Sequence, residues 1–98
     1  MGLNVEQDSA ALRSIAEEIR GYAQAIQQDT NLINNAMNNR LGADQNDNYF
    51  WYGPNANAFL TDYNSKYPTK FDNAYSNIIS LAENLESQAQ QWETFEAQ

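Results

Sequence analysis

Apolar residues recur along the chain in two long runs whose steps alternate between three and four. The first run carries Leu12, Ile15, Ile19, Tyr22, Ile26, Ile33 and Ala36, with Asp29 taking one position of the line. Ala16, Ala23, Leu32 and Met37 widen it. A repeat near 3.5 residues places such side chains on one side of an α-helix and of no other regular structure. The pattern predicts a helix over about 8–41, with Asp8 or Ser9 as the N-cap whose side chain accepts a bond from a first-turn N–H. Gly42 serves as its stop, being able to take the left-handed conformation that closes many helices.

The second run passes through Leu60, Tyr63, Tyr67, Phe71, Ala74, Ile78, Leu81 and Leu85, then Gln88, Trp92 and Phe95. It predicts a helix over about 55–96. Pro68 lies inside it, lacks an N–H and crowds the carbonyl four residues back, so a kink is expected near Asn64–Pro68. A full break, with Thr69 capping a fresh helix, is the alternative. The intervening loop, about 42–54, opens polar with Asp44, Asn46, Asp47 and Asn48 and closes on the aromatic series Tyr49, Phe50, Trp51 and Tyr52. Gly53-Pro54 ends it, and proline suits the first position of a helix because its missing N–H would have had no partner there.

The fold class that follows is all-α, an antiparallel helix–turn–helix hairpin in one domain, 1–98. Two helices cover only the seam between them, and the apolar stripes are wider than one seam: Ile79, Ala82 and Ala89 extend the second as Ala16 and Ala23 extend the first. A second hairpin is expected to cover the remainder, forming a four-helix bundle with helices about 20° from antiparallel. Leu12, Ile15, Ile19, Ile26, Ile33, Phe59, Tyr63, Ile78, Leu81 and Leu85 are the expected dimer and core seam. Asp29 either sets register within that seam or, with a small rotation of the helix, faces water, which suits a carboxylate better.

Composition narrows the chemistry. The chain has 98 residues, 13 acids, 5 bases and a formal net charge of −8. Nucleic acids and anionic membranes bind through clustered Lys and Arg, so neither is an expected partner. With a mean hydropathy of −0.75, no stable membrane insertion is expected. Cysteine and histidine are both absent, which removes zinc sites, disulfides and Cys or His nucleophile–base pairs. The series Asp44-Gln45-Asn46-Asp47-Asn48 imitates half a calcium loop. It fails where Tyr49 replaces the required glycine and Asn55 the bidentate glutamate. Carboxylate pairs such as Glu17/Glu18 and Glu83/Glu86 would need a cleft to act as an acid and a base, and a narrow hairpin provides none. No catalytic residue, metal or cofactor is expected, and the chain is read as a binding protein rather than an enzyme.

Trp51-Tyr52-Gly53 lies mid-chain between the two helices, with Ala58-Phe59 shortly after it and Leu3-x-Val5 before the first helix. With the chain length and the periodicity, these residues make the sequence resemble, over its whole length, the WXG family of small ESAT-type proteins exported by type VII secretion in Gram-positive bacteria. The loop before Trp51 is longer and more aromatic than that family's short turn. The family also carries an export signal of a tyrosine followed four positions later by an acid, at or just after the end of the second helix. Trp92-x-x-x-Glu96 is the match here, with Trp in place of Tyr, and a four-residue spacing puts both side chains on one helix face. From Phe71 onward there are five acids and no base, and carboxylates at a helix C-terminus oppose its dipole.

The resemblance implies a non-enzymatic protein made in the cytoplasm and secreted without a cleavable signal peptide. It would be exported as a homodimer or heterodimer, with Trp51 and Gly53 shaping the turn and Trp92 and Glu96 as the address read by the membrane ATPase of the system. The partner chain would be another small helical WXG-like protein or the targeting domain of a toxin. In the toxin case the chain is an adaptor that supplies the export signal. A membrane-active hairpin would need a basic polar face, and an acidic inhibitor of a basic nuclease would make the Trp-x-Gly turn a coincidence.

Overall fold

The structure is a computed structural model that describes residues 5–97, with side-chain surroundings for 9–95. It is all-α: helix α1, Val5–Arg40, is joined by a short turn to helix α2, Pro54–Ala97. The turn contains two two-residue strands, β1 (Leu41–Gly42) and β2 (Trp51–Tyr52), paired in parallel. No described helix is long and apolar enough to cross a membrane.

Two expectations about helix ends change. The chain is already helical at Val5, so Asp8 and Ser9 sit inside α1 and do not cap it. Helix α1 stops at Arg40, and Gly42 is a strand residue without a positive φ. Leu3 lies outside the described residues. At the other end Pro54 opens α2 as its first residue, and α2 runs unbroken through Pro68, so no fresh helix begins at Thr69.

The chain packs as two compact units. The terminal unit joins α1 up to Ala25 with α2 from Tyr75 onward; the turn unit runs from Ile26 to Ala74. In the terminal unit the two helices run antiparallel, as its cross-helix pairs show: Arg13 meets Glu93 and Arg20 meets Glu86. Its buried positions are Ser9, Ala16, Ala23, Ala82 and Ala89. Alanines one heptad apart on both helices let the backbones approach closely, because the distance between packed helices is set by the side chains at the contact. Leu12, Ile19, Ile78 and Leu85 flank this line half-buried.

In the turn unit Ala56 and Tyr63 are buried, with Met37, Leu60 and Phe71 half-buried beside them. The Tyr63 hydroxyl donates to Asn34 Oδ1, and burial raises the phenol above its usual titration range. Asn38 and Asn64 exchange reciprocal amide bonds of 3.1 and 2.9 Å. Tyr63, Tyr67 and Phe71 form an aromatic series along α2.

The expected seam is therefore turned about the helix axes. Alanines that seemed only to widen the stripe sit at its centre. Ile15, Ile26, Ile33, Phe59 and Leu81 stand outside the intrachain core as exposed side chains. Size is the reason: at the closest approach of two helices a methyl group fits where a branched C4 side chain would push the backbones apart. Asp29 is exposed, the solvated one of its two expected placements.

Candidate functional site

The turn is built by three backbone bonds and one Asx turn. Tyr49 N donates to Asn46 O at 2.9 Å, while Asn46 Oδ1 accepts from Asn48 N at 2.9 Å, an arrangement that asparagine favours because its side chain imitates a backbone carbonyl. Phe50 N donates to Arg40 O at 2.7 Å, and Gly53 N to Gly42 O at 3.0 Å. These last two bonds hold the parallel register of Leu41 with Trp51 and Gly42 with Tyr52. Gly53 has φ 119°, a conformation that residues with a Cβ rarely adopt, so glycine is needed there for its backbone. Gly42 is needed for space, since a Cβ would run into the ring of Tyr49.

Trp51 stands at the surface of the turn unit. It is 45% exposed and packs against Phe59, ring centroids 5.8 Å apart, where Phe59 is itself 54% exposed. The Trp-x-Gly and Ala-Phe residues are thus brought together, with Ala58 on the solvent side. Phe50 and Tyr52 also face outward, and the Arg40 guanidinium lies 4.4 Å from the Phe50 ring centroid. Such a contact is worth about 0.5–1 kcal/mol at an exposed site.

The tail residues belong to the terminal unit. Trp92 is 40% exposed and meets Phe95 edge-on at 6.1 Å. Glu96 lies one helical turn further on in α2, and its side chain is outside those described. Glu93, one of the five acids after Phe71, is held by Arg13 Nε at 2.6 Å. Glu86 likewise takes two bonds from Arg20, at 2.6 and 3.1 Å. The Arg20 hydrogen bonds, helped by the charges of Arg20 and Arg13 and opposed by desolvation, hold the Glu86 carboxyl below its usual range. The signal that could have found these pairs is their spacing: the two arginines are one heptad apart, and so are the two glutamates.

Helical geometry sorts the rest of that unit. On α1, Arg13 and Arg20 lie to one side of the Ala16–Ala23 line, and Ile15 and Tyr22 to the other. On α2, Glu86 and Glu93 lie to one side of Ala82 and Ala89, and Leu81 and Trp92 to the other. Because the ion pairs close one face, the exposed Ile15, Tyr22, Leu81 and Trp92 share the opposite face of the terminal unit.

Comparison with family models, with curated proteins and with solved structures returns no match.

Proposed function

We propose that this chain is a non-enzymatic secreted protein of the WXG type, a substrate of a type VII secretion system that acts through protein–protein contact. The observation that carries the reading is the one-sided terminal unit, with ion pairs on one face and Ile15, Tyr22, Leu81 and Trp92 exposed on the other. Large apolar side chains grouped on one face favour a protein partner over water. The partner in this reading is a second copy, and pairing forms a four-helix bundle with helices at the crossing angles such bundles use. The Trp51–Gly53 turn and the Trp92/Glu96 tail are the surfaces offered to the export machinery, whose membrane ATPase takes the tail.

Sedimentation equilibrium of the chain alone across micromolar concentrations tests the pairing. A dimer mass supports the self-paired substrate. A monomer or a heterogeneous aggregate overturns self-pairing and moves the reading to the adaptor that joins a toxin's targeting domain. Export from a strain carrying a type VII system tests the address: Trp92→Ala and Glu96→Ala are expected to keep the protein inside the cell, and normal export of both variants refutes the signal.

A further inference from the structure

The last turn of α1 and the loop that follows enclose an open basin of about 660 Å³, lined among others by Asn39, Arg40, Asp47, Asn48, Tyr49 and Phe50. Its volume falls within the range of small-molecule sites, about 300–1,000 Å³, yet its lining is polar. The frame is already committed: Asn38 bonds Asn64 and the Asn34 carbonyl, and the Asn46 side chain holds the turn. The rest is not. The Asn39 and Asn48 amides, the Asp47 carboxylate and the Arg40 guanidinium belong to exposed residues and are open to a ligand.

The charges and rings around the basin select among ligands. Arg40 and Asp47 cancel, so the basin is neutral within a chain of net charge −8. An anion meets Asp47, a cation meets Arg40, and an apolar ligand would leave the amides stripped of water without replacement. Planar amides, a guanidinium fork and a carboxylate offer paired donors and acceptors that match neighbouring hydroxyls on a ring. Phe50 is 78% exposed, which leaves much of its ring open to the C–H side of a flat sugar beside the Arg40 contact. The loop is tied by the bonds from Phe50 to Arg40 and from Gly53 to Gly42, so little ordering remains to be done on binding.

We propose that this basin binds a neutral oligosaccharide, with Phe50 as the stacking platform and Asn39, Arg40, Asp47 and Asn48 as the groups that read its hydroxyls. The proposal is independent of the export reading and of oligomeric state. The test is an NMR titration of the full-length chain with cellotetraose, maltotetraose and chitotetraose in separate series, with inorganic phosphate and a neutral Gly-Ser peptide alongside.

At least one tetraose is expected to give saturable shifts confined to the backbone amides of 39–50. Phe50→Ala is expected to weaken that binding about tenfold, the scale of a lost aromatic stack. Asn48→Ala, which leaves the turn's backbone bond in place, is expected to weaken it several-fold with an unchanged far-UV CD spectrum. That second variant decides the matter should Phe50→Ala disturb the loop. Saturable shifts with phosphate or peptide alone, no saturable shift with any tetraose, or binding unchanged by both variants overturns the proposal. Retention of the chain on the corresponding insoluble polymer would assign the ligand to a glycan surface, and failure of retention to a free oligosaccharide; either follows from the same chemistry.

Discussion

Two glycines bracket the turn for different physical reasons, and substitution separates them. At Gly42 the backbone is ordinary and the neighbour is the obstacle, since an added Cβ collides with the Tyr49 ring. Gly42→Ala is expected to cost about 1–3 kcal/mol, the scale of overpacking. Removing the ring as well, in Gly42→Ala/Tyr49→Ala, is expected to recover part of that loss in a double-mutant cycle read by urea denaturation. At Gly53 the space is open and the backbone is the obstacle, so Gly53→Ala is expected to cost about 1–3 kcal/mol with no rescue from Tyr49→Ala. Gly53 was legible in the sequence because Gly-Pro after an aromatic run marks a turn. Gly42 was legible only as a glycine after a helix, since the side chain that requires it comes from across the loop. Tyr63→Phe belongs to this scale too: it deletes the hydroxyl that Asn34 accepts from, and about 1 kcal/mol of lost stability is expected.

At the scale of the elements, the alternation of three- and four-residue steps was enough to place both helices and the turn, because a period near 3.5 has one structural meaning. The rotation of each helix was not legible in the same way. Hydropathy ranks Ile15, Ile26 and Leu81 above Ala16, Ala23 and Ala82, whereas close packing prefers the smaller residue at the point of nearest approach. Ala82→Leu is therefore expected to destabilise the chain by about 1–3 kcal/mol. Leu81→Ala, one residue away, is expected to shift the same urea curve by less than about 0.5 kcal/mol while weakening any self-association seen in sedimentation. The reverse order of effects would place Leu81 in the intrachain seam. The ion pairs of Glu86 and Glu93 were not legible for a related reason: their partners are on the other helix, invisible to a count made along α2. Of the candidate site, the Trp51 and Ala58-Phe59 residues stood out in the sequence, but the contact between Trp51 and Phe59 and the exposure of Phe59, expected in the seam, did not, because a ring near a turn can be core or surface.

At the scale of the whole molecule, charge sets the response to pH. The Glu86 carboxyl titrates below its ordinary value near 4.5 in the folded chain. Its ion pair therefore stabilises the fold fully above that value and is lost as pH falls through the lower, folded one. Thermal melts of the parent chain and Glu86→Gln should differ by a constant amount from neutral pH down to about 5, then converge as the solution is made more acid. A gap that stays constant to pH 3 would show that Arg20 does not hold this carboxylate. The comparison is needed because the other acids also protonate, relieving the self-repulsion of a chain of charge −8.

The alanine seam also has a calorimetric consequence. No described large side chain is fully buried, so melting the lone chain newly wets little hydrocarbon. The heat-capacity increment of unfolding scales with that apolar area, at about 0.45 cal/K/mol per Å². A solitary chain should thus absorb heat over a wide temperature span, with a shallow stability curve. Covering Ile15, Tyr22, Leu81 and Trp92 would add the missing area, so the endotherm should narrow, move upward and become dependent on chain concentration.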